Sequence, residues 1–128
     1  MSHHSRLSGF IIDCQSGDLE PSAAFWSAAL GVPRADPDSG GTGQYAEFDN
    51  APGGLHFEVQ TVEHPSRVHL DIETDDIEAE VKRLEALGAT RIAFVKARWW
   101  VMEAPTGHRF CVVPMKDEPR RDAPNRWP

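Results

Sequence analysis

At 128 residues, 40% of them hydrophobic and 26% charged, the chain has the length of one domain and can bury roughly two-thirds of its unfolded surface. A formal charge of −7 and a pI near 5.3 exclude the clustered Lys and Arg that nucleic acid or an anionic membrane would reward. No apolar run is long enough for a membrane span, the opening MSHHSRLS lacks the apolar core of a secretory signal, and the expected compartment is the cytoplasm.

Leu7 to Cys14 reads as a strand, with Phe10 and Ile12 on one face and Gly9, Ile11 and Asp13 on the other. His3 and His4, ahead of it, fall in an unstructured start. Asp18 is placed to cap a helix through Leu30, with Pro21 tolerated in the first turn and Gly31 ending it. Pro33 to Gly43 is rich in Pro, Asp and Gly and reads as an irregular, mobile loop after at most a short strand. Gln44 to Asp49 and Leu55 to Val62 form a hairpin through a turn at Asn50 to Gly54.

Val68 to Glu73 alternates apolar and polar residues, so Val68, Leu70 and Ile72 face one way and His69, Asp71 and Glu73 the other. Asp75 followed by Glu78 has the spacing of a capping box, and Ile77, Val81, Leu84 and Leu87 then recur at helical spacing until Gly88. That helix covers the apolar face of the strand. The polar row His69, Asp71 and Glu73 is left needing water, a partner, a metal or a ligand. Strands follow at Thr90 to Val95, Trp99 to Glu103 and His108 to Val113, the last two joined by the turn Ala104-Pro105-Thr106-Gly107. From Met115 to Pro128 the prolines and arginines read as an extended tail, with Trp127 an anchor for this domain or for a second subunit.

The halves repeat. Leu30-Gly31 returns as Leu87-Gly88, and Ala51-Pro52, Gly54 and Phe57 return as Ala104-Pro105, Gly107 and Phe110. The fold class is therefore α+β, with two βαβββ modules over about residues 7–62 and 67–114 forming a curved mixed sheet around a shared cleft, and residues 115–128 as the tail. Cys14 and Cys111 each sit within an apolar strand pattern, as reduced buried thiols do.

The paired modules, the run HLDIETDDIEAEVKRLEALGA and the ending APTGHRFCVV resemble the glyoxalase-like group of the vicinal oxygen chelate superfamily, which includes glyoxalases, bleomycin resistance proteins, epimerases and dioxygenases. The resemblance covers Leu7 to about Pro114. It implies a dimer and a divalent metal (zinc, nickel, manganese or iron) held by one side chain from each of four strands, at Gly9, Glu58, His69 and Cys111. Gly9 offers no ligand, and Cys111 stands where a carboxylate is usual. Glu58, His69 and Cys111 remain as the metal set, with Glu58 and His69 as the catalytic pair. The alternative for Cys111 is a small apolar strand residue.

Alternation places Asp13, Glu58, Gln60, His69 and Asp71 on the concave side, where carboxylates need a metal, a cationic ligand, an arginine such as Arg109, protonation of one of them, or open water. His69 alternatively pairs with Asp71 or Glu58. His56 and His108 are expected at the surface. Trp100 and Met102 share one strand face, with Trp99 and Val101 on the other; Trp100, Met102 and Phe48 are taken as ligand-binding walls. The expected protein binds or sequesters a small organic, aromatic or cationic compound at an incomplete metal site. The alternative is a divalent-metal-dependent lyase, epimerase or dioxygenase.

Overall fold

A computed structural model describes residues 2–35, 45–48, 52–115 and 123–128. Most of the Pro33–Gly43 loop, part of the Asn50–Gly54 turn and residues 116–122 of the tail lie outside the described residues. The chain divides into two compact units, Gly9–Val68 and Met1–Ser8 with His69–Pro128. Strand β1 (His3–Cys14) contributes its N-terminal part to the latter and its C-terminal part to the former. The fold is α+β, and each unit carries one of the two modules.

In the first module β1 runs parallel to β3 (His56–Thr61), and β3 pairs antiparallel with β2 (Tyr45–Glu47). Among the described residues, the stretch expected to form the second strand of this βαβββ unit contributes one bridge, between Arg34 and Phe48. Helix α1 (Leu19–Leu30) starts at Asp18, which makes no side-chain capping bond, and ends at Gly31, whose φ of 67° is easiest for a residue without Cβ. Phe10, Ile12 and Cys14 from β1, Phe57 and Val59 from β3, and Ala46 and Phe48 pack with Leu19, Ala23 and Val32. Phe57 stacks between Phe10 and Phe48, at 4.8 and 4.5 Å. Phe48 is thus a core residue, because alternation in its strand turns it with Ala46 towards the helix; the expected ligand wall is not there.

In the second module β4 (Arg67–Thr74) runs parallel to β7 (Arg109–Pro114), followed by β6 (Trp99–Glu103) and β5 (Thr90–Val95), both antiparallel to their neighbours. Helix α2 (Ile77–Ala86) lays Val81 and Leu84 on Met102 and Val112, with Ile72, Ile77, Trp100 and Phe110 at the margin. Met102 is fully buried and Trp100 shares its face, stacked on Phe94 at 5.0 Å. Both belong to the helix side of the sheet, which corrects their placement as ligand walls. The cap of α2 is Asp76, whose side chain accepts from the Ala79 N–H at 3.1 Å; Asp75 instead accepts from the His4 N–H at 2.7 Å, and Glu78 pairs with Arg91.

The chain start is ordered strand. His3 is 4% exposed and donates from Nε2 to Glu80 Oε1 at 2.8 Å, while Arg83 donates to both Glu80 oxygens at 2.8 Å. Strand β8 (Asn125–Trp127) pairs antiparallel with His3–Ser5; Trp127 donates to Ser5 Oγ at 2.8 Å, and Arg83 lies 3.9 Å from the centre of its ring. The polar first residues looked like an unstructured start because their partners, Glu80 and Trp127, are remote in sequence. Burial works to raise the Glu80 carboxyl, but hydrogen bonds from Arg83, His3 and Ser5 outweigh it and hold the group below its ordinary value. A depressed carboxyl contributes stability above its unfolded-state pKa, about 4.3, and that contribution fades as pH falls through the folded value. Arg83→Ala is expected to cost roughly 3 kcal/mol in urea unfolding at neutral pH, since it leaves a buried carboxylate short of its main partner. Glu80→Gln should flatten the acid limb of a stability profile below about pH 4.

Candidate functional site

Each module has a face turned away from its helix, and parallel pairing aligns the polar side chains on it. In the first module Ile11 is opposite Glu58 and Asp13 opposite Gln60, while Glu47 faces Glu58 from β2 and Tyr45 faces Gln60. His56 is half-buried, with Nε2 2.6 Å from Glu58 Oε1, rather than a surface residue beside a turn. Gln60 donates weakly to the Tyr45 hydroxyl at 3.4 Å. Asp13 is buried, with the Arg67 guanidinium Nε at 3.7 Å to neutralise it and His64 Nε2 nearby at 4.0 Å. The two basic groups come from the segment just before β4, a pairing no local spacing announces.

In the second module Asp71 is opposite Cys111, which is opposite Val101 on β6. His69 Nε2 lies 3.5 Å from Asp71 Oδ1, and the donor atoms of His69, Asp71 and Cys111 all fall within 4.8 Å of one another. Asp71 is only 9% exposed, and its Oδ1 has no hydrogen-bond partner. Its neighbour Glu73 is 1% exposed but meets Arg6 Nε at 3.1 Å. Arg109 is engaged with Glu103 at 3.2 Å. By alternation Trp99 shares this face with Val101 and Glu103, so the indole on the polar side is Trp99; Lys96 Nζ sits 5.8 Å from its ring centre.

The hydrogen-bond register also aligns the two modules with each other. Glu58 is opposite Ile11, two residues after Gly9; Cys111 is opposite Asp71, two residues after His69. Gly9 and His69 are therefore equivalent positions, as are Glu58 and Cys111, and Asp71 stands where the first module has Ile11. A Cβ on Gly9 would lie 1.7 Å from the His56 carbonyl oxygen. Glycine is required there by backbone approach, and no ligand side chain can take its place.

Residues 9–113, well over half of the chain, match the family model of the Glyoxalase-like domain. The chain belongs to the Glyoxalase-like domain family. No curated protein sequence matches it. Solved structures share its fold at low identity. A hypothetical protein from Bacillus halodurans is 13% identical, with a TM-score of 0.62 over 91% of this chain and 99% of that one. Methylmalonyl-CoA epimerase from Mycobacterium tuberculosis is 14% identical, with 0.60 over 86% and 87%. The Mn(II)-bound glyoxalase from Novosphingobium aromaticivorans is 16% identical, with 0.59 over 94% of this chain and 44% of that one.

For this glyoxalase-like chain, the four-strand ligand set implied by the resemblance does not fit a metal as a whole, because its first position is a sterically required glycine. In the second module His69, Asp71 and Cys111 offer a nitrogen, an oxygen and a sulfur donor in one place, with a buried carboxylate oxygen still unsatisfied. Gly9→Ala, the smallest step towards a side chain, is expected to lower stability by roughly 1–3 kcal/mol in denaturant unfolding, and Gly9→His by more. Neither should raise metal uptake, measured by elemental analysis of the same preparations.

Proposed function

We propose that this glyoxalase-like protein binds a small organic molecule on the polar faces of its modules and holds it without turnover. The observation that carries this reading is Gly9: the backbone approach that demands glycine removes one ligand from the metal set by which relatives of this kind would run chemistry. The residues proposed to bind are Asp13, Glu58 and Gln60 in one module and His69 and Asp71 in the other. Trp99 shares the polar face of the second module and is the stacking surface there. Its ring already accepts a lysine ammonium at its face, which favours a planar aromatic or cationic ligand. Asp13 is ion-paired with Arg67, so it orients neighbours more than it supplies net negative charge.

A second reading is a divalent-metal-dependent lyase, epimerase or dioxygenase acting on a small oxygenated substrate; the grouping of His69, Asp71 and Cys111 favours it. A zinc, nickel, manganese or iron ion bound there would polarise neighbouring oxygens of a substrate. In the other module His56 and Glu58 form a carboxylate–imidazole pair at 2.6 Å, the kind of pair that can hold a proton. We further propose a homodimer, since Ile92 and Phe94 on β5 are 43% and 49% exposed, and a reducing, cytoplasmic setting, since Cys14 and Cys111 are both free thiols. Among the described residues no helix is long and apolar enough to cross a membrane.

Tryptophan fluorescence separates the readings. Titration with planar aromatic cations should quench emission saturably in the native protein, and Trp99→Phe should remove most of that response while Trp127→Phe keeps it. A ligand screen that finds no saturable quenching, with elemental analysis showing about one ion per chain that His69→Ala abolishes, would favour the metal-dependent enzyme.

A further inference from the structure

We propose that the outer face of helix α1 is the surface on which two copies of this chain associate. The face belongs to the homodimer proposed above, so the inference rests on that reading. Leu19 and Ala23 of α1 turn inwards, and Pro21, Phe25, Ala28 and Ala29 recur at helical spacing on the opposite side. All four are exposed, Phe25 to 61%, and Leu30 adds an exposed apolar side chain at the end of the helix. A helix apolar on all sides is the kind that proteins bury all round.

The repeat supplies the comparison. Helix α2 also covers one face of its module, yet its solvent side carries Glu78, Lys82 and Glu85. From Pro21 to Pro33 the chain has no charged residue, and Glu20, the one charge in α1, is held by Arg34 with Nη2 3.1 Å from Oε1. Charge and shape both select a second copy as the occupant. A chain of net charge −7 repels its like, so it meets itself at least cost through a charge-free face, and such a face offers nothing to attract a charged partner. The face is also self-complementary. With two α1 helices antiparallel about a two-fold axis, the projecting Phe25 of each copy lies over the low surface of Ala28 and Ala29 of the other. Trp26 packs on the core and meets the Phe25 ring edge-on at 5.0 Å, which steadies Phe25 as the aromatic anchor of an interface. A helix of 12 residues is about 18 Å long, so it supplies the dry centre of an interface of roughly 800 Å² per copy and not the whole of it.

The test is sedimentation velocity on the full chain, reduced, over a range of concentrations. The native chain should sediment as a dimer that dissociates on dilution. Phe25→Glu and Ala28→Glu each act twice across the axis and should weaken dimerisation by about tenfold or more. Their circular dichroism spectra and urea midpoints should stay native, because both side chains are exposed. Phe94→Glu should remain dimeric. Should Phe25→Glu lose its fold, Ala28→Glu carries the test alone. If Phe94→Glu separates the copies while the α1 variants dimerise as tightly as the native chain, the homodimer stands and the α1 face is overturned. A native chain that is monomeric at every concentration overturns both.

Discussion

The parallel pairing of β1 with β3 and of β4 with β7 is the constraint on which everything else rests. In each pair the register fixes which residues face the helix and which face away, and a slip of one residue would exchange the two sets. The apolar sets, Phe10, Ile12, Phe57 and Val59 in one module and Ile72, Phe110 and Val112 in the other, are buried by α1 and α2. Burying them holds the register. The polar sets on the opposite faces are then placed by necessity, and the candidate chemistry comes with them.

Much of this was legible because period-two alternation and helical spacing are local. The row His69, Asp71 and Glu73, the stop at Gly88, the stop at Gly31 and the βαβββ repeat could all be read from neighbours within a few residues. What escaped was non-local. The face of Trp100 and Met102 was undetermined because both alternatives put an indole on each side of the sheet, and only α2 settles that their side is the core. Phe48 was misplaced because a strand three residues long gives too little alternation to fix its phase. Asp75 and Asp76 both qualify as caps by spacing; the contact of Asp75 with His4, 71 residues away, leaves the cap to Asp76.

The charges follow the same logic. Composition marks the chain as acidic, but net charge does not say which carboxylates are dry. Arg6, Arg67 and Arg83 each serve a buried acid far from them in sequence or on the next turn of a helix, and a buried acid held this way is a structural element rather than a catalytic one. The N-terminal strand and the tail are part of that arrangement, since His3 and Trp127 close over Glu80 and Arg83. Residues that composition alone would assign to frayed ends thus stabilise α2.

The repeat makes the remaining asymmetry informative. Equivalent backbone positions carry glycine and histidine, glutamate and cysteine, isoleucine and aspartate in the two modules. The first exchange is steric, because Gly9 answers to the His56 carbonyl. The second and third change donor chemistry while the strand register stays the same. Asp71 and Cys111 face each other across one strand pair, so both differences fall on the same patch of the second module's polar face. A fold made of two similar halves can in this way vary the chemistry of one polar face while keeping its register throughout.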